Sequence, residues 1–208
     1  MSEISATSVK ELREISGAGM MDCKKALSEA SGNLDQAMDI LRKSGIAKAQ
    51  QKSGRTTKEG KIYSYIHPGA KLGVLIEINC ETDFVADTED FTNLNKDLAM
   101  HIAASTPISI KREDIPDDVL AREKDIYADQ ARQSGKPENI IDKMIEGRIK
   151  KFYQENVLLE QAFVKDPDKT VQDIITDTIA KLGENIVISR FVRFQLGEKT
   201  NNSPPINN

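Results

Sequence analysis

The chain of 208 residues has only two cysteines, Cys23 and Cys80, and two histidines, His67 and His101. So few, so scattered, they exclude a disulfide framework and a structural zinc site, and both thiols are expected to be reduced. No Ser/His/Asp, Cys/His or paired-carboxylate constellation can be assembled around two histidines so placed, so covalent catalysis is not expected. No run approaches the about 18 to 20 apolar residues needed to span a bilayer. Met1 to Ser8 lacks the basic stretch and apolar run of a secretory signal, so the expected compartment is the cytoplasm. A large excess of one charge is missing as well. The net charge of −4 does not suggest binding to nucleic acid through phosphate neutralisation. A protein partner is the expectation, with no metal and no cofactor.

What is present is 38% apolar and 30% charged residues, enough for a real core in one or two globular units. Residues 1–46 read as a three-helix module. Ser8 before Val9, with Glu11 following, has capping-box spacing, and Val9, Leu12 and Ile15 recur at helical intervals up to Ser16-Gly17. Cys23, Ala26, Leu27 and Ala30 form a second stripe that ends at Gly32. Asn33 can cap a third, with Leu34, Ala37, Met38 and Leu41. Three such short helices must pack on one another to bury their stripes.

Residues 47–60 read as a basic linker, since Lys48, Lys52, Arg55, Lys58 and neighbouring Lys61 face Glu59 alone. Contact with RNA and a solvated tether are both open readings of that charge. Gly54 to Lys61 is not a phosphate-binding loop. Its spacing is one residue too long, and Ile62 stands where Ser or Thr would hold magnesium.

An α+β core is predicted over 61–116 and 166–200. The runs 61–67 and 72–79 around Pro68-Gly69-Ala70-Lys71 form a hairpin. Phe91, Leu94, Leu98 and Ile102 make one helix, closed by Ser105-Thr106-Pro107. Ile186 to Leu196 supplies a third strand, with a slip in phase at Ser189-Arg190 that suggests a bulge. Between these, 117–134 and 137–161 are charge-rich helices expected to form an antiparallel, protruding hairpin within 117–165, seamed by Ile141, Met144, Ile145, Ile149 and Phe152. The tail, 201–208, has no apolar pattern and is expected to be disordered.

Two features are odd for purely structural segments. Gly17-Ala18-Gly19-Met20-Met21 places two apolar side chains in an interhelical loop. They either contact a partner groove or fold under the bundle. Cys80-Glu81-Thr82-Asp83-Phe84-Val85-Ala86 leaves a strand with a carboxylate beside an aromatic ring. Phe84 either projects for function or plugs the core edge while Asp83 caps a turn.

The segments Val9-Lys10-Glu11-Leu12-Arg13 and Gly17 to Leu27 are similar to the opening of the elongation factor Ts family. Thr82-Asp83-Phe84-Val85 and His101-Ile102-Ala103-Ala104-Ser105 resemble its two signatures. Gln133 to Pro137 and Lys143 to Arg148 resemble its coiled-coil segment. The resemblance, to a short form of the family, runs from Ile4 to Gly197. It implies a guanine-nucleotide exchange factor for elongation factor Tu, with no covalent chemistry of its own. It implies that a ubiquitin-associated-like N-terminal module docks on Tu through Leu12, Met20 and Met21. Thr82, Asp83, Phe84 and Val85 would then intrude beside the magnesium site of Tu, while His101 acts on its phosphate-loop side. On a helical wheel His101 lies at the edge of the apolar stripe, so a satisfied core-edge histidine is also open. Only fifteen residues separate Val85 from His101. Long members carry the two signatures in separate halves of a duplicated core, so here the missing half is either dispensable or supplied by a homodimer. A ubiquitin-associated-like adaptor with chaperone-type contacts is the alternative function, and it leaves both signatures idle.

Overall fold

The structure is a computed structural model and describes residues 4–133 and 137–198. The connection at 134–136 and the tail 201–208 lie outside the described residues. Three helices come first: α1 (Ala6–Ser16), α2 (Met20–Glu29) and α3 (Leu34–Lys52). The cap of α1 is Ser5, whose Oγ accepts from the Ser8 amide, so the helix begins one turn earlier than the Ser8 spacing predicted. Gly17 closes α1 in the left-handed region, and Asn33 caps α3 by accepting from the Gln36 amide, as expected. Val9, Leu12, Cys23, Ala26, Leu27, Ala30 and Ala37 form a buried cluster of their own. Ile15, assigned to the stripe of α1, instead stands 63% exposed.

Helix α3 does not stop at residue 46, the expected end of the module. It runs on to Lys52, because Gly45 is where α3 lies against a later helix: a Cβ there would come within 3.4 Å of the Ala180 Cβ. Residues 47–52 of the expected linker are therefore helix, and most of its basic side chains are held within the chain. Lys48 pairs with Asp22 at 2.7 Å, Arg55 with Glu81 at 3.4 Å and Lys61 with Asp87 at 3.1 Å. Lys52 donates to the Gly183 carbonyl.

The hairpin β1 (Glu59–Ile66) and β2 (Leu72–Cys80) joins β5 (Val187–Gln195) in an antiparallel sheet of order β1-β2-β5. The bulge falls where the slip in phase placed it, since Glu77 pairs with Arg190 and Ile78 with Ile188, leaving Ser189 over. One face of the sheet, carrying Val74, Ile76, Ile78 and Ile188, is covered by α5 (Glu89–Ser105) and α8 (Val171–Leu182). Phe91, Leu94, Leu98 and Ile102 of α5 are all buried, each contributing about 1.5–3 kcal/mol of apolar burial. Helix α8 was not expected. It carries Val171, Ile175 and Ile179 into the core and opens on a capping box between Thr170 and Asp173. A small hairpin of β3 (Ala162–Phe163) and β4 (Asp166–Thr170) precedes it.

Helices α6 (Asp117–Arg132) and α7 (Glu138–Asn156) pack side by side. Ile141, Met144, Ile145 and Ile149 of the seam are half-buried, Ala131 of α6 is buried, and Phe152 joins Ile115 and Val157 in a third cluster. Arg148 donates to Gln130 and lies over the Tyr127 ring. Helix α7 ends at Asn156, short of the expected 161. Leu158 and Phe163 then turn back into the main core.

Candidate functional site

The strand exit at Cys80 folds into a short helix, α4 (Asp83–Ala86), capped by Thr82, whose Oγ1 accepts from the Val85 amide. Val85 and Ala86 face inward and are buried. That leaves Asp83 and Phe84 on the outer side. Phe84 is 83% exposed, although a phenylalanine next to a core would ordinarily turn into it. Of the two readings open from the sequence, a core plug is excluded.

The turn is firmly held. Glu184, just after α8, accepts from the Glu81 amide at 3.1 Å and the Thr82 amide at 3.0 Å through Oε2, and from the Thr82 hydroxyl at 2.6 Å through Oε1. Glu81 answers by accepting from the Asn185 amide at 2.7 Å. This amide, with Arg55 beside it, holds the Glu81 carboxyl below the usual carboxylate range. Asn185, itself buried, donates to the carbonyls of Arg55 at 2.8 Å and Ser53 at 3.4 Å. The Cys80 thiol donates to the Thr82 carbonyl at 3.1 Å. Burial and the nearby Glu184 carboxylate push the Cys80 pKa up to about 11, so the group is an inert thiol.

Met20 and Met21 form the first turn of α2 rather than a loop, and are 52% and 75% exposed. Ile15, near the end of α1, is exposed as well. It was missed as a surface residue because its spacing fits the stripe of α1. Leu12, in contrast, is fully buried in the three-helix cluster, which it helps to hold together from inside.

His101 is not at the edge of the core but inside it, with no exposed surface. The Val164 amide donates to Nδ1 at 3.2 Å, which leaves the proton on Nε2 to donate to Gln161 Oε1 at 2.9 Å. Gln161 in turn donates to the Glu155 carbonyl at 2.7 Å. The Phe163 ring lies 5.8 Å from the imidazole. Desolvation outweighs the Gln161 bond and lowers the pKa of His101. The histidine thus fastens α5 to the β3–β4 turn, where Val164 is 47% exposed.

Among the described residues, no cluster of three or more metal-ligating side chains occurs, and no helix is long and apolar enough to cross a membrane. An aromatic side chain held out on a capped, cross-braced turn, with further apolar side chains exposed at the start of α2, characterises a protein-binding factor.

The family model for elongation factor Ts matches residues 2–198. Elongation factor Ts of Thermoanaerobacter sp. strain X514 is 58% identical over 195 residues, 94% of this chain and 96% of that protein. That of Geotalea daltonii is 59% identical over 195 residues, covering 94% and 90%. That of Fervidobacterium nodosum is 58% identical over 196 residues, covering 94% and 100%. The chain belongs to the elongation factor Ts family. Membership carries the family's role in translation elongation, nucleotide exchange on elongation factor Tu, which is not catalysis of covalent chemistry.

Proposed function

We propose that this chain releases GDP from Tu by inserting Phe84, with Asp83 beside it, next to the magnesium site of Tu. Met20 and Met21, exposed in the first turn of α2, dock on the nucleotide-binding domain together with exposed Ile15 of α1. The observation that carries the reading is an aromatic ring left 83% in solvent on a turn braced by Glu184, Glu81 and Thr82. Such a ring needs no induced ordering to enter a groove that opens. Disturbed magnesium coordination removes the main counter-charge of the phosphates, and GDP leaves. By linkage, tighter binding of nucleotide-free Tu weakens nucleotide by the same factor. His101 acts indirectly, setting the posture of the Phe163–Val164 turn toward the phosphate-loop side, while Val85 and Leu12 anchor their respective contacts from below.

In this reading the chain divides as 1–46, 47–60, 61–116 with 166–200, 117–165 and 201–208. The N-terminal part works as a ubiquitin-associated-like docking module and the helix pair as a protruding hairpin. Separate buried clusters in the three-helix part, the sheet part and the base of the helix pair support three packed parts, with Ala49, Leu158 and Phe163 joining the sheet cluster and Ile115 the helix-pair cluster across these boundaries. Nucleic acid is not a partner, in keeping with the intramolecular commitments of Lys48, Lys52, Arg55 and Lys61. The factor works in the cytoplasm.

The protein works as a homodimer. Among the described residues no helix lies on the second sheet face, which exposes Ile62, Ile66, Leu75, Val192, Phe194 and Leu196. Register puts Leu75 beside Val192 and Gly73 beside Phe194, so these side chains are contiguous. The charges on this face, Glu77 and Arg190, are paired with each other at 2.7 Å, so the face can meet its own copy about a two-fold axis without net like-charge repulsion.

The test is release of a fluorescent GDP analogue from Tu. Met20→Ala with Met21→Ala should raise the concentration needed for half-maximal release, whereas Phe84→Ala should lower the maximal rate. Wild-type kinetics in all variants would remove both surfaces from the mechanism.

A further inference from the structure

We infer that Glu184 is the positioning residue of the exchange site, holding the Glu81-Thr82 backbone so that Phe84 is presented ready-formed. The inference rests on the reading of Phe84 given above. Glu184 is about one hundred residues from the turn it holds, yet its carboxylate takes three hydrogen bonds there, at 2.6, 3.0 and 3.1 Å. Two of them tie down the backbone of the residues before α4, and the third orients the hydroxyl that caps it. Hydrogen bonds to an ionised acceptor are the strong kind. Asn185 extends the brace to the strap after α3, through the Ser53 and Arg55 carbonyls. Asn185 is buried, and Glu184, though partly exposed, spends both carboxylate oxygens on the turn. They act on the partner only through Phe84. A helix of four residues has no stability of its own. Without the carboxylate, α4 is left with Thr82, Val85 and Ala86 to define it, and the ring samples many directions.

Hydrogen exchange and stopped-flow release of a fluorescent GDP analogue, on the full chain with Tu, test this together. In Glu184→Ala the Glu81 and Thr82 amides should exchange at least about tenfold faster, as loss of a charge-assisted bond requires. The α5 amides should keep their protection. The maximal release rate should fall by about tenfold, with the half-saturating concentration within about twofold. Glu184→Gln, which keeps a carbonyl oxygen in place, should recover most of both. Thr82→Val, which removes only the hydroxyl, should show the same pattern more weakly and serves if Glu184→Ala folds poorly. Unchanged protection of the two amides, or a wild-type release rate once protection is lost, overturns the inference. Phe84→Ala is the control. If it is slowed while Glu184→Ala is not, the inference alone fails; if Phe84→Ala releases GDP at the wild-type rate, the underlying reading fails and the inference with it.

Discussion

Phe194→Glu tests the open sheet face. Phe194 is 59% exposed in the single chain. A phenylalanine presents about 200 Å2, so about 120 Å2 of it is available for burial by a second copy. At about 25 cal/mol/Å2 that is about 3 kcal/mol, and two-fold symmetry counts it twice, giving about 6 kcal/mol for complete coverage. Coverage of half the area still gives about 3 kcal/mol, a weakening of dimerisation by more than about a hundredfold on substitution. A carboxylate buried opposite its own symmetry mate adds to this. The folded single chain should barely notice the change, because Phe194 lies on the face away from α5 and α8. Sedimentation equilibrium at micromolar concentration is the assay, with thermal melting as the control. The reasoning predicts a wild-type dimer and a Phe194→Glu monomer of similar melting temperature. A wild-type monomer, or a variant that remains dimeric, would refute it.

Two further perturbations follow from local geometry. Gly60 has φ +143°, and a Cβ there would lie 2.2 Å from the Ile78 carbonyl oxygen and 2.7 Å from the Asn79 Cα. Both obstacles are backbone that cannot swing aside, so Gly60→Ala should cost about 2 to 5 kcal/mol and lower the melting temperature by about 5 to 15 °C; a shift under about 1 °C would contradict the approach of β1 to β2. His101 is neutral in the folded chain at pH values where the unfolded chain already takes up a proton. Stability is therefore complete above the usual imidazole value of 6.5 and declines as pH falls below it toward the lowered folded value. Melting curves at about pH 7.5 and about pH 5.5 should diverge in the wild type and much less in His101→Gln, and equal pH dependence in the two would remove the buried histidine as the cause.

The elements that could be read from the sequence are those whose signals are local. The stripe of α5, the turn at Pro68-Gly69-Ala70-Lys71 and the phase slip at Ser189 each depend on neighbouring residues, and each stands where it was expected. The segment after residue 46 misled because its basic charge and lack of apolar periodicity were read as a linker. Helix α3 runs through it, with Gly45 as the point where α3 passes close to Ala180, a contact with a helix far along the chain. Helix α8 did have a local signature, the Thr170 and Asp173 box followed by Val171, Ile175 and Ile179, and it could have been found. Thr82, Asp83 and Phe84 were picked out by their residue types at a strand exit. Glu184 carries no such mark, because its role exists only once α8 brings it to the turn. The burial of His101 was hidden for the same reason: a wheel drawn on α5 alone cannot show that β3 and Gln161 cover its edge.

The central claim is that Phe84 works by prising out nucleotide rather than by adding affinity. It is tested most directly by measuring, for Phe84→Ala and the wild type, both the affinity for nucleotide-free Tu and the rate at which GDP leaves the complex of Tu, GDP and this factor. The account predicts that the GDP release rate falls at least about tenfold while affinity for nucleotide-free Tu changes by less than about threefold. Equal losses in the two measurements would make Phe84 an ordinary docking contact and contradict the account.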